Sequence, residues 1–220
     1  MIHEKKTKSK SEQAYSILEE MIVTLKIPPG SNWSEKELSD LIGIGRMPVR
    51  EAIKKLESSH LLMTIPRLGI HITEITLENF YLQMEIRRLI ERLIATRAAR
   101  FSTPAEREYF LKLADDYERA TEENDTIRAV QIDNEFNEFV ADCARNKFAK
   151  EALRPLHSLA RRLYFMQYNI DKDLAKTIND AHCDLMRIIS SGDEAASAKQ
   201  SDYLLDQIEK LYKRKMEVFT

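Results

Sequence analysis

Helix-breaking residues are concentrated in the first third of this chain, and their distribution constrains the fold more than any other feature. Four of the six prolines and four of the five glycines precede residue 70. After Glu74, only Pro104, Pro155 and Gly192 interrupt a long series of residues that favour helix. With 220 residues, the chain is long enough for two domains. We therefore expect a turn-rich N-terminal domain followed by a nearly all-helical domain.

The N-terminal part contains helix and strand patterns in an informative order. The predicted elements are a helix over 12–25, a capped helix beginning after Ser34, a helix opened by Met47-Pro48, and a hairpin of 62–65 and 70–73. The sequence Ile27-Pro28-Pro29-Gly30 ends the first helix, and Gly43-Ile44-Gly45 separates the second from the third. This order predicts a winged helix-turn-helix, whose third helix would enter the major groove of DNA.

The remainder of the chain has helical periodicity. Six helices are predicted, over 77–101, 104–124, 129–145, 147–169, 174–190 and 194–218. The expected fold is mainly α: a winged helix-turn-helix of three helices plus a small β-hairpin, followed by an all-α helical-bundle effector domain. The predicted boundaries are 1–10 for a basic disordered tail, 11–73 for the DNA-binding domain, 74–80 for a linker, and 81–220 for the ligand-sensing and dimerisation domain.

Composition excludes several classes of function. The formal net charge is −2, so any DNA-binding surface must be local. No apolar stretch approaches the roughly 20 residues of a membrane span, and no apolar segment follows the basic N-terminus as in a secretory signal, so a cytoplasmic location is expected.

Cys143 and Cys183 are expected to be buried, reduced thiols. The sequence lacks His-Glu-x-x-His, P-loop and Gly-x-Ser-x-Gly motifs, so an enzyme is not expected.

Four basic residues are candidates for contacts with DNA. Arg46 and Arg50 lie four residues apart at the start of the third helix and therefore share a face. Lys36 and Arg67 would flank that face, from the second helix and the wing tip respectively. Arginine can pair bidentately with guanine, whereas lysine supplies a point charge for phosphate. The alternative interpretation is that all four are ordinary solvated surface charges.

The run from Glu37 to Ile53, ELSDLIGIGRMPVREAI, resembles the signature of the GntR family of transcriptional regulators. Pro29-Gly30, Leu56-Glu57 and Gly69 fit the flanks of that signature. The resemblance implies DNA contacts from a set of residues in and around the third helix: Lys36, Arg46, Met47, Pro48, Arg50 and Arg67. Gly45 and Met47 replace the usual hydroxyl residues, which predicts weaker phosphate contacts or an altered site preference.

The helical part resembles the effector domain, called FCD, of the FadR-like branch of that family. The resemblance rests on Arg87 with Glu91, the run from Asp133 to Asn137, Arg145-Asn146, His182, and Ser191-Gly192-Asp193. In many such domains an Asp and three His bind a divalent metal. The matching positions here hold Asp133, Asn137, His182 and Leu204, so the resemblance implies a reduced ligand set, and no metal or other cofactor is expected.

The same resemblance implies an effector site formed by Arg87, Asp133, Asn137 and His182. We expect a small-molecule effector, with Arg87 pairing with a carboxylate of an organic acid. Two alternatives remain open: Arg87 and Glu91 can form a simple helix-surface ion pair, and His182 can be a satisfied core or capping residue.

Two hypotheses of function follow. In the first, a homodimer binds a pseudo-palindromic operator in double-stranded DNA as a repressor, and the effector alters its affinity for that operator. In the second, the chain is a non-catalytic protein-interaction module that uses its winged helix as a docking surface. The basic residues of the third helix favour the first hypothesis.

Overall fold

The computed structural model describes residues 9–167 and 172–218. The chain divides into two compact units, Met1–Ile75 and Thr76–Thr220. The first unit contains α1 (Lys10–Val23), β1 (Asn32–Trp33), α2 (Glu35–Ile42), α3 (Arg46–Ser58), β2 (Leu62–Ile65) and β3 (Gly69–Ile72). The second contains α4 (Leu77–Phe101), α5 (Pro104–Glu122), α6 (Thr126–Cys143), α7 (Lys147–Gln167), α8 (Lys172–Ser191) and α9 (Glu194–Val218).

The helix-turn-helix forms where the capping pattern predicts it. The Ser34 hydroxyl accepts a hydrogen bond from the Glu37 amide, and the Glu37 carboxylate accepts one from the Ser34 amide. Gly43 ends α2 in the left-handed conformation, at φ +66°. Leu38, Val49, Ile53 and Leu56 are buried, and α1 packs against α3 to complete this small core.

The wing is a three-stranded antiparallel sheet with strand order β1-β3-β2. The hairpin of β2 and β3 was predicted, but β1 was not, because two residues between turns carry no period-two pattern. Gly69 permits β1 to lie close to β3: a Cβ atom at this position would lie 2.6 Å from the carbonyl oxygen of Trp33. The Thr64 amide donates to Glu57 at 2.7 Å, which connects β2 to α3.

Two predicted boundaries differ from the structure. Lys10 was assigned to the basic tail, but it is the first residue of α1, because the Ser9 side chain caps the helix in a capping box with Glu12. Residues 1–8 of that tail lie outside the described residues. The predicted linker over 74–80 overlaps the predicted helix over 77–101, and the structure agrees with the helix: residues 77–80 form the first turn of α4, which Thr76 caps through the Asn79 amide.

The second unit is an all-helical bundle whose boundaries follow local caps. Pro104 occupies the first turn of α5 behind a Thr103–Glu106 capping box, and Asp125 caps α6. The core of the bundle includes Phe110, Tyr117, Phe136, Ile178 and Met186. Cys143 and Cys183 are buried and free, and burial raises the pKa of their thiols to about 11 and about 12 respectively. Across the described ranges, no helix has the length and apolar character needed to span a bilayer.

Candidate functional site

A cavity of about 60 Å³ lies inside the helical unit, between α4, α6, α7, α8 and α9. That volume exceeds the roughly 10–15 Å³ that one water molecule requires. Its apolar wall includes Ile94, Phe136, Leu153, Ile178 and Leu204. Polar side chains from α4, α6, α7 and α8 also line it: Arg87, Glu91, Asp133, Asn137, His157, Arg161 and His182. The combination of an apolar wall and a few converging polar groups is typical of a small-molecule site.

Arg87 and Glu91 form a buried ion pair on one side of this cavity. The Nε atom of Arg87 donates to Oε1 of Glu91 at 2.6 Å, and the two side chains are only 6% and 13% exposed. The alternative of a helix-surface pair is therefore wrong. Nε2 of His157 lies 3.5 Å from the same carboxylate oxygen. Burial opposes ionisation of Glu91, but the charges and hydrogen bonds of Arg87 and His157 outweigh it and lower its pKa to about 2.

Asp133, Asn137 and His182 converge on the other side of the cavity. Nε2 of His182 lies 3.1 Å from Oδ1 of Asp133, and Nδ2 of Asn137 donates to Oδ2 at 3.0 Å. Nδ1 of His182 donates to the Ile178 carbonyl oxygen at 2.9 Å. Burial opposes ionisation of Asp133, yet the hydrogen bond to His182 and the charges of His182 and Arg161 lower its pKa.

This donor set does not fit a divalent metal. Both carboxylate oxygens of Asp133 are engaged by neighbouring side chains. Asn137 and Leu204 occupy two of the four ligand positions that the resemblance implies, and Leu204 contributes only an apolar side chain to the cavity wall. Within the described residues, no group of three or more His, Cys, Asp or Glu side chains is arranged to bind a metal.

Two residues of the cavity, His157 and Arg161, were not predicted from the sequence. Both are buried on α7, and the Nη2 atom of Arg161 donates to the Ser158 hydroxyl at 3.3 Å. Leu153, His157, Arg161 and Tyr164 recur at helical spacing and all line the cavity. The sequence signal for both residues is their spacing: each is a polar residue that falls on the apolar face of its helix, and residues on that face point into a core.

The predicted DNA-contacting residues lie at the start of α2, at the start of α3 and on the wing turn. Arg46 and Met47 are exposed in the first turn of α3, where Pro48 is half-buried. Arg50 forms a two-pronged ion pair with Glu35, with Nη2 to Oε2 at 2.7 Å, and Lys36 pairs with Asp40 at 3.0 Å. The pKa of Glu35 is lowered, mainly by the hydrogen bond from Arg50, and the charge of Arg46 lowers it further. Arg46 and Arg50 therefore act on one surface.

Arg67 occupies the turn between β2 and β3. The Leu68 amide donates to the Ile65 carbonyl oxygen at 3.1 Å, and Arg67 has a φ of +68°. This conformation is uncommon for a residue other than glycine, and the turn presents the Arg67 side chain to solvent. The wing therefore exposes a cation at its tip.

Comparisons with known proteins match both units. The FCD domain matches residues 83–207, and the family described as bacterial regulatory proteins, gntR family, matches residues 10–72. The HTH-type transcriptional repressor RspR of Escherichia coli is 28% identical over 163 residues, covering 74% of this chain and 72% of RspR.

Two further proteins extend the comparison. An uncharacterised HTH-type transcriptional regulator of Agrobacterium vitis, from the TAR-I ttuE-ttuC' intergenic region, is 30% identical over 134 residues, covering 60% of this chain and 78% of that protein. The solved structure of E. coli McbR/YncC has a TM-score of 0.82 at 18% identity, covering 95% of this chain and 100% of that chain. At this identity the structural likeness shows a shared fold.

Proposed function

The chain belongs to the GntR family of bacterial transcriptional regulators and carries an FCD domain, and from this premise we propose that it is a homodimeric repressor controlled by a small organic acid. The family and its relatives are transcription regulators, not enzymes. The name of the E. coli relative, a transcriptional repressor, supports the direction of control. In this proposal, each subunit places its α3 in one major groove of a pseudo-palindromic operator.

The observation that carries the proposal is the buried polar cavity of the FCD unit. It contains two guanidinium groups and two imidazoles beside two carboxylates that are held ionised. Such a set of buried donors can bind an added carboxylate, while the apolar wall contacts the carbon skeleton. We assign effector binding to Arg87, Asp133, Asn137 and His182, together with His157 and Arg161, and propose that the site operates without a metal.

On the DNA side we assign Lys36, Arg46, Met47, Pro48, Arg50 and Arg67. Arg46 is the strongest candidate for direct base contact, because it is exposed and forms no ion pair with any residue of the described ranges. On binding DNA, Arg50 would give up its ion pair with Glu35, and Lys36 its ion pair with Asp40, to contact a phosphate or a base edge. Such exposed ion pairs are worth little in water, so this exchange costs little.

Selection from a pool of random duplex DNA at two salt concentrations tests the DNA-binding part. We expect enrichment of a short palindrome whose affinity falls steeply with salt. Arg46→Ala should weaken binding by about 10-fold or more, since a specific base contact is worth about 1–3 kcal/mol. Lys112→Ala, an exposed cation on α5, is the matched control and should not alter affinity. Absent or salt-insensitive binding would instead favour a protein-docking module.

A further inference from the structure

Met47 is an apolar side chain on the face of α3 that also carries the cations. Among the large apolar side chains of the first unit that the structure describes, it is the most exposed, at 65%. At about 100° per residue, Met47 lies about 60° from Arg50 and nearly opposite Leu56, which is buried. The Met47 side chain therefore points away from the core of its unit, toward the surface on which α3 would meet DNA.

The chemistry of the Met47 side chain restricts what it can recognise. A thioether is only a weak hydrogen-bond acceptor and donates no hydrogen bond, so it cannot replace a hydroxyl group at a phosphate. Methionine is unbranched, flexible and polarizable, and it adapts to apolar groups of irregular shape. The C5-methyl group of thymine is the apolar group that a base pair presents in the major groove. A thymine methyl is therefore the contact that best suits a methionine at this position.

Gly45, which precedes α3, leaves space for that contact. Its backbone is extended, at φ −59° and ψ 157°, so its conformation does not require glycine. Within the described residues, a Cβ atom added at Gly45 would meet no heavy atom within 4 Å beyond its chain neighbours. A side chain would therefore fit here and project into solvent. Its absence allows a DNA backbone to approach the start of α3 more closely, which brings Met47 within reach of the base edges.

We propose that Met47 is a specificity-determining residue that contacts the C5-methyl group of a thymine in each half-site of the operator. The inference rests on the proposed DNA-binding function and names the base chemistry that α3 reads. Arg46 directly precedes Met47. Consecutive Cα atoms lie about 3.8 Å apart, close to the rise of about 3.4 Å between base pairs. The thymine therefore lies next to the base pair that Arg46 contacts.

Uracil substitution in the operator tests the contact with the wild-type protein alone. Deoxyuridine pairs with adenine as thymidine does but lacks the C5-methyl group, so it removes only the apolar contact. Each thymine of the selected operator is replaced in turn, and affinity is measured by fluorescence anisotropy. At one thymine position, affinity should fall about 4-fold with one half-site changed and about 15-fold with both. A wild type that binds every uracil duplex as tightly as the parent duplex would overturn the proposal.

Substitutions at Met47 test whether this residue is responsible. Met47→Leu keeps an apolar side chain of similar length and should retain the preference for thymine over uracil. Met47→Ser is too short to reach the methyl group and should bind both duplexes equally. Leu111→Ser is the matched control, because Leu111 is a 44%-exposed apolar residue on α5, outside the first unit, and it should keep the wild-type preference. A thymine preference that persists in M47S would assign the methyl contact to another residue and overturn the proposal.

Methylated cytosine provides the converse test. With a C·G pair at the critical position, 5-methylcytosine should bind the wild type about 4-fold more tightly than cytosine, since only the methyl group is added. Equal affinity for the two duplexes would contradict the methyl contact. Failure of this inference is distinguishable from failure of the proposed function. A wild type that selects an operator but ignores the methyl group overturns only the role of Met47, whereas a wild type that selects no operator overturns both.

Discussion

Glu91 retains a negative charge inside the bundle because two cationic or proton-donating neighbours stabilise it. Its ordinary pKa is 4.5, and in the folded protein it is lowered to about 2. A group whose pKa is lowered on folding stabilises the protein above its unfolded pKa. That stabilisation is lost as pH falls through the folded value. The contribution of Glu91 is therefore complete above about pH 4.5 and disappears progressively toward pH 2.

As pH falls from about 4.5 to about 2, we expect protonation of Glu91 alone to lower the free energy of unfolding of the helical unit by roughly 3 kcal/mol. Glu91→Gln should lower stability at pH 7 and flatten the acid dependence. Urea unfolding at several pH values measures both effects. Glu85→Gln, an exposed carboxylate on the same helix, should retain the wild-type dependence. An E91Q variant with the full acid dependence would show that other carboxylates control it.

At the scale of elements, the sequence predicted what local chemistry determines. The bounds of α4 and α9 match the predicted ones, because Thr76 and Gly192 mark their beginnings clearly. The predicted helix over 147–169 agrees with α7 to Gln167, and residues 168–169 lie outside the described residues. The two-residue strand β1 was not predictable, because its pairing partner lies nearly 40 residues away in β3.

Tertiary packing determines which polar residues are buried in the cavity, and this could not be predicted from the sequence. The i, i+4 spacing predicted that Arg87 and Glu91 meet, but only the bundle buries the pair. The same holds for His157 and Arg161, whose positions on α7 become inward-facing once α4 and α6 pack against it. A single sequence reports periodicity along each helix but not which neighbour covers which face.

The wing offers a prediction about an element, since its third strand depends on one glycine. Gly69 has a φ of +95°, and a Cβ there would lie 2.6 Å from the Trp33 carbonyl oxygen. Gly69→Ala should separate β1 from β3 and cost about 1–3 kcal/mol through strain and lost pairing. Gly43→Ala is a graded control, because its φ is +66° but its surroundings are open, so it should cost only about 1 kcal/mol.

Hydrogen exchange at the strand amides, together with urea unfolding, measures this difference. Faster exchange of the Ile72 amide, which donates to Ser31, is expected in G69A but not in G43A. Equal exchange in both variants would indicate that the sheet tolerates a side chain at this position.

At the scale of the whole molecule, α4 links two parts of the proposed mechanism, the wing and the cavity. Only residues 73–76 separate β3 from its first turn, so α4 is the covalent continuation of the wing. Its inner face contributes Arg87 and Glu91 to the cavity. An effector that changes the contacts of Arg87 would therefore act on the helix that continues directly from the wing. Such a helix can transmit binding energy to the operator without any contact between effector and DNA.

Arg161 allows this coupling to be tested separately from operator binding. It is a buried cation of the cavity, remote in sequence from the DNA-binding residues, and loss of one charge-assisted contact is worth about 1.5–3 kcal/mol. With an operator from the duplex selection and a panel of short-chain mono- and dicarboxylates, the wild type should release DNA at a definite concentration of one of them. Arg161→Gln should raise that concentration by about 10- to 100-fold and leave operator affinity unchanged.

Arg154→Gln, an exposed arginine of α7 that pairs with Glu138, should behave as the wild type. By reciprocity, operator DNA should weaken carboxylate binding to the wild type by the same factor by which the carboxylate weakens DNA binding. If the R161Q variant responds to the carboxylate as the wild type does, the carboxylate does not bind in this cavity. If the carboxylate and the operator weaken each other's binding by different factors, the two measurements do not report the same coupled equilibrium.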